Sequence, residues 1–273
     1  MICIPSGMGM AWAYMGLVPH LDPRIPVVGP QMPTAFAFDG DQLTLDQLMR
    51  HFVDRIREIQ PHGPYHLVGY SAGTLMGHAI ATFLQSQGEE VAFLALIDSY
   101  PVTPGDPGTY EAPKDDLSLT LEILEKLLER PMQHAFENET DPGKALARLV
   151  ADGTITHEEA YWVTRCTRCV QLNVRLMPSY SHARFDGDVL FFSATTTNWN
   201  TDNLRSPEEW APYVTGRITA HQLSARHDQL MRADNTEIMG RIINEHLLPL
   251  VSRSSRILTV AGDGAAEPEP AEA

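Results

Sequence analysis

The sequence predicts an α/β fold, a mostly parallel central sheet flanked by helices, with a helical insertion before the sheet is complete. Three observations carry this. Up to Pro101, apolar strand-like runs alternate with segments of helical periodicity. Those runs lack strict apolar–polar alternation, the mark of strands buried on both faces. After Pro101, three helix-like segments follow one another with no strand between them.

Met1–Pro5 reads as a buried strand in which the chain begins, stopping at the Gly-rich turn Ser6-Gly7-Met8-Gly9. Residues 10–19 read as a helix with Trp12, Tyr14 and Leu17 on or near its apolar side, and Ile25–Val28 as the next strand. Thr44–Gln60 is a helix: Leu45, Leu48, Phe52, Ile56 and Ile59 form one stripe, and Thr44 with Gln47 has capping-box spacing. A strand over His66–Tyr70, a turn at Ser71, a helix over Ala72–Gln87 and a strand over Val91–Ile97 follow.

Residues 101–113 are rich in Pro, Gly and Asp and read as loop. Helices are expected over 117–130, 142–151 and 156–177, strands over Asp188–Ser193 and Arg217–Leu223, and a last helix over Asn235–Val251. Residues 102–184 are thus expected to be a helical lid insertion within an α/β unit spanning 1–258. The end, 259–273, lacks apolar periodicity and is expected to be disordered.

Composition narrows the function. The chain has 273 residues, 20 Lys+Arg against 35 Asp+Glu, and a net charge of −15. A field of that sign repels nucleic-acid backbones and disfavours anionic membranes. The longest apolar run, Val91–Ile97, is seven residues, far short of the roughly 20 that span a bilayer. Residues 1–18 carry no Lys or Arg, so no signal peptide is expected. Three cysteines fit a reducing, cytoplasmic setting better than a disulfide scaffold. Cys166 and Cys169 have C-x-x-C spacing but fall on an expected helix, where a packing face is the simpler reading than a metal site.

Gly69-Tyr70-Ser71-Ala72-Gly73 matches G-x-S-x-G between an expected strand and an expected helix. That context is the nucleophile elbow of the α/β-hydrolase fold: Gly69 and Gly73 relieve crowding around a strained Ser71 at a helix N-terminus. A serine hydroxyl needs a base. His227 follows an expected strand and precedes the last helix, whereas His221 lies within the strand pattern and His246 inside the helix. The acid has two candidates: Asp98, at the end of Val91–Ile97, and Asp202, beyond the following strand. Acyl transfer also needs two oxyanion donors. The N–H of Ala72 and one from the Ser6–Gly9 turn are the candidates.

Over roughly residues 1–255 these pieces resemble the type I thioesterase domains of nonribosomal peptide synthetases and polyketide synthases. The resemblance lies in Ile4-Pro5-Ser6-Gly7-Met8-Gly9 through Tyr14-Met15-Gly16-Leu17, Pro26–Pro33, Gly63–Gly73, Leu94-Ala95-Leu96-Ile97-Asp98, Asp186–Phe192 and the His227 loop. Ile4 stands where the family usually has histidine. The resemblance implies Asp98 as the acid and Gly7 as the first oxyanion donor. It implies a peptidyl or acyl chain delivered on the phosphopantetheine of a carrier protein, transferred to Ser71 and released by hydrolysis or macrocyclisation; a stand-alone editing thioesterase, a carboxylesterase and a catalytically inactive docking module are the alternatives. No metal or diffusible cofactor is implied. Arg165, Arg168 and Arg175 on one lid helix are a candidate basic patch for the carrier, with a solvated helix face as the simpler reading.

Overall fold

The computed structural model describes residues 1–33, 43–102, 115–132, 136, 139–196 and 205–262, from 252 onward as backbone only. Among the described residues five strands form one sheet: β1 (Ile2–Ile4), β2 (Tyr65–Tyr70), β3 (Val91–Ile97), β4 (Val189–Ala194) and β5 (Ile218–Leu223). Their order is β1-β2-β3-β4-β5 and every pair is parallel.

Each crossover steps in the same direction. Right-handed connections then all fall on one face. That face carries α1 (Leu45–Ile59), α2 (Ala72–Ser86) and Trp210 of a 3₁₀ turn, packed on Ile2, Ile4, Leu67, Leu94, Leu96 and Phe191. Residues of the opposite parity, Cys3, Val68, Ala95, Ile97, Leu190 and Phe192, face the other way. They pack on Tyr14, Leu17 and the last helix, α6 (Ala233–Gly262), through Met239, Ile242, Ile243 and Leu247. Both faces of the sheet are therefore buried, as the unbroken apolar runs require.

The predicted elements are present with small changes of boundary. Thr44 caps α1 in the expected capping box. Two early segments differ. Residues 10–19 form two 3₁₀ turns, Ala11–Gly16 and Val18–His20, instead of a helix. Gly16 and Pro19 interrupt any longer helix here. Tyr14 and Leu17 are buried, but Trp12 is 45% exposed and meets Trp162 edge-on at 4.7 Å. The expected strand Ile25–Val28 contracts to a bridge between Val28 and Ile2. Its bonds are Cys3 N–H to Val28 O and Val28 N–H to Met1 O, at 2.8 and 3.0 Å. Pro26 has no N–H to extend the ladder. α6 begins two residues earlier than expected and runs on past Val251; residues 263–273 of the expected disordered tail lie outside the described residues.

The insertion holds α3 (Asp116–Leu128), α4 (Pro142–Ala151) and α5 (His157–Leu176), close to the three expected helices. They share a core of their own around Leu119, Ile123, Leu146, Leu149, Val163 and Cys166. α5 has two apolar sides. Val163, Cys166 and Val170 face that core, while Cys169, Leu172 and Leu176 enter the core under the sheet. Both cysteines of the C-x-x-C pair are thus buried packing residues, not joined in a disulfide, and burial pushes the Cys166 thiol up to about 12. No described helix is long and apolar enough to cross a membrane.

Thr74, fully buried in α2, links two strands to the helix. Its hydroxyl lies 3.0 Å from Gly69 O and 2.9 Å from Ile97 O, and accepts from Ile97 N–H at 3.2 Å. Replacing Thr74 with Val keeps the shape and removes the hydroxyl that ties the helix to both strand ends. Urea denaturation is expected to show a loss of about 0.5–1.5 kcal/mol. Stability is also expected to depend on pH. Burial lowers His66, His78 and His182 from 6.5 to about 4. Between those values the unfolded imidazoles take up protons that the folded ones refuse, so stability falls as pH drops through that window. His78→Gln, which retains an N–H for Tyr213 O, is expected to flatten the urea midpoint's fall between pH 6.5 and 4.

Candidate active site

β2 ends at Tyr70 and α2 begins at Ala72, so Ser71 alone makes the turn between them. It sits at φ 57°, ψ −130°, a conformation costing about 1–3 kcal/mol for a residue with a side chain. Its N–H donates to Ile97 O at 3.0 Å, which fastens the turn to the end of β3. Its side chain makes no capping bond to α2. The two glycines of the motif are demanded by contact. A Cβ on Gly69 would lie 2.2 Å from Gly73 O. One on Gly73 would lie 2.5 Å from Ile4 O and 2.6 Å from Pro5 O.

Asp98 follows β3 at φ 50°, a second strained residue on the same edge of the sheet. Its N–H donates to Phe192 O at 2.8 Å. Oδ1 accepts from Ala194 N–H at 2.9 Å, and Oδ2 accepts from His227 Nδ1–H at 2.8 Å. Both oxygens of a carboxylate only 9% exposed are therefore satisfied. A carboxylate only accepts, so the tautomer of the neutral His227 ring has its proton on Nδ1 and its lone pair on Nε2. The His227 side chain is 32% exposed, open enough to be reached. His221 lies in β5 against Phe192, and His246 is exposed on α6. Asp202, the alternative acid, lies outside the described residues.

Tyr70 went unnoticed in the motif. Its hydroxyl donates to His227 O at 2.7 Å, and its ring stacks on the imidazole, centroids 5.1 Å apart and planes 23° apart. Burial, then the charges of Asp98 and Asp228, raises its pKa, so the hydroxyl stays a donor. Strand alternation was the available signal: Tyr70 shares the face of Val68, toward Leu223 and Ala225 at the end of β5.

The turn after β1 closes by Gly9 N–H to Ser6 O at 2.8 Å, with Gly9 at φ +78°. It lies against the first turn of α2, as the Gly73–Pro5 approach requires. Gly7 and Ala72 are thereby brought to the edge of the sheet that carries Ser71. Among the described residues, no backbone carbonyl accepts from the N–H of either.

The candidate arginine patch does not form as one open face. Arg165 is buried, its guanidinium 5.1 Å from the Trp162 ring centroid and donating to Tyr161 Oη at 3.1 Å. Arg168 and Arg175 are exposed, and Arg175 donates to Leu43 O at 3.0 Å. Positions 165 and 168 lie about 60° apart around the helix, enough to turn one inward. A cleft of about 450 Å³ lies between α4 and α5, lined by residues including Leu146, His157, Tyr161 and Arg168, and not by Ser71, Asp98 or His227. Among the described residues, no cluster of three or more His, Cys, Asp or Glu is arranged to hold a metal ion.

A parallel sheet with an elbow serine on its carboxyl edge defines the α/β-hydrolase class. The model of the thioesterase domain family matches residues 1–247, and the chain belongs to that family. Malpibaldin synthetase of Mortierella alpina is 30% identical over 254 residues, 90% of this chain and 4% of that protein. The dimodular nonribosomal peptide synthase of Bacillus subtilis (strain 168) is 30% identical over 253 residues, 89% of this chain and 10% of the other. The chain thus spans a small fraction of the curated relatives it matches. Among solved structures, a four-domain nonribosomal peptide synthetase superposes with a TM-score of 0.71 at 17% identity, over 89% of this chain and 19% of that one. SrfTE, the thioesterase domain that cyclises the lipopeptide surfactin, gives 0.56 at 18% identity, over 90% of each chain. At such identities the likeness shows the fold.

Tyr70→Phe retains the ring stack and removes the shorter of two bonds to His227 O, leaving Leu230 N–H at 3.3 Å. Urea denaturation is expected to show a loss of about 0.5–1.5 kcal/mol. Turnover of a small thioester is expected to slow with KM unchanged. An unaltered kcat would uncouple the hydroxyl from the histidine loop.

Proposed function

We propose that the chain is a chain-releasing thioesterase domain using Ser71, His227 and Asp98 as a catalytic triad. One observation carries the reading: His227 is tied to Asp98 through Nδ1 and stacked on the residue before the strained Ser71. In this reading His227 Nε2 takes the Ser71 proton as the hydroxyl attacks a thioester carbonyl. Asp98 holds the tautomer and steadies the imidazolium. The N–H groups of Gly7 and Ala72 receive the oxyanion, each such donor being worth about 3 kcal/mol. The protonated imidazole delivers its proton to the departing thiolate and leaves an acyl ester on Ser71. His227 then activates water, giving an acid, or an internal amine or hydroxyl, giving a ring.

The thioester substrate is an acyl or peptidyl chain on the phosphopantetheine of a carrier protein. Its support is the set of relatives, a dimodular nonribosomal peptide synthase among them, in which the matched segment is a small part of a much longer chain. Residues 1–258 act as one unit, and 102–184 form its lid. The separate core of α3, α4 and α5 supports a substantial roof, which suits release of a long chain with water held away.

The test is direct. A serine-directed fluorophosphonate is expected to add one adduct by intact mass, absent from Ser71→Ala. Peptidyl thioesters of varied length are expected to yield acid or ring, with Asp98→Asn slower by roughly 10⁴-fold. No adduct on the wild-type protein would overturn the reading.

A further inference from the structure

α5 is more than the wall of a lid. Cys169, Leu172 and Leu176 belong to the same core as Ile2 and Ile4 of β1, so this helix is anchored in the main body of the protein. From it, Asn173 reaches the turn after β1. The side chain is buried, 8% exposed. Its Nδ2 donates to Gly7 O at 2.9 Å and to Cys169 O at 3.0 Å, with Met32 Sδ at 3.7 Å. Both amide protons thus have carbonyl acceptors, which fixes which way the amide points.

A second contact grips the same turn. Cys169 Sγ lies 2.5 Å from where a Cβ on Gly9 would be. The turn is therefore clamped between two helices: the first turn of α2 presses on Pro5 through Gly73, and α5 presses on Gly9 and bonds Gly7. Glycines at 7 and 9 would otherwise leave the connecting peptides free to rotate.

We propose that Asn173 is a positioning residue for the oxyanion hole. By holding the Gly7 carbonyl it fixes the Gly7–Met8 peptide plane, and with it the rotation of the turn that presents Gly7 N–H to the thioester oxygen. The inference rests on the reading of Gly7 as an oxyanion donor. It makes the seat of α5 a condition for chemistry: a lid movement that lifts α5 releases the donor, whereas movement of α3 and α4 alone leaves it in place.

Asn173→Asp retains the shape and replaces the donating amide with an acceptor. Asn173→Ser shortens the side chain out of reach of Gly7. Each is assayed with a small peptidyl thioester, with rates taken per Ser71 titrated by fluorophosphonate, so that misfolded protein is not counted. Binding of a boronic acid analogue, which forms a tetrahedral adduct on serine, is measured alongside. The expected result is a fall in kcat of about tenfold or more, within the roughly 10²–10³ that loss of a whole donor costs. KM is expected to stay within about twofold, with analogue affinity weakened by the same factor as kcat. Asn173→Gln, which keeps the donor, is expected to recover part of the loss. Unchanged kcat per titrated Ser71 in the variants that fold would overturn the inference, as would a fall in kcat with analogue affinity intact. If the aspartate variant does not fold, the serine variant decides. A wild-type protein that takes no adduct at Ser71 would instead remove the underlying reading.

Discussion

The closeness of β2 to α2 at Gly69 and Gly73 is the constraint on which the site depends. A methyl group on either glycine would strike a backbone carbonyl at 2.2–2.6 Å. Only with both side chains absent can the chain reverse through one residue, and that residue, Ser71, is left at positive φ. The strain is offset locally. Ser71 N–H is bonded to Ile97 O, and Thr74 bridges the ends of β2 and β3 from beneath. Because the glycine at 73 also lies against Ile4 and Pro5, the same approach presses the turn after β1 against the start of the helix.

Around this point, polar groups from separate stretches of chain satisfy one another. Asp98 accepts from β4 through Ala194 and from the loop after β5 through His227. His227 is held on its ring nitrogen by Asp98, and on its carbonyl and ring face by Tyr70. A parallel sheet makes this convergence possible, since all five strands end on one edge and their following loops meet there. The insertion joins the arrangement through α5, which is shared between the core of the insertion and the main core. The insertion and the main body are thus mechanically continuous.

Long periodic segments were legible from the sequence. α1, α2, α5, β2 and β3 lie where apolar spacing and capping residues put them. Short segments were not. Residues 10–19 and 25–28 are apolar, but Gly16, Pro19 and Pro26 deny them a continuous ladder of backbone bonds. Local pattern cannot show that loss, because propensity averages over neighbours while a missing N–H acts at one atom. Arg165 illustrates a different limit. Its place on the helix was evident, but its inward turn depends on Trp162 and Tyr161 on its own helix and on where the body of the protein lies.

The sequence by itself determined the α/β architecture, the elbow serine and its two glycines, and the histidine after the last strand. Each is written in local terms: an apolar period, a run of small residues, a position between elements. Only the tertiary structure decided that Asp98 meets His227, that Tyr70 braces that histidine, and that Asn173 grasps the turn at Gly7. Those pairings join residues separated by 129, 157 and 166 positions. Their hydrogen bonds exist only over a few tenths of an ångström and a narrow range of angles, and no spacing along a chain encodes such a distance until the sheet and helices have closed.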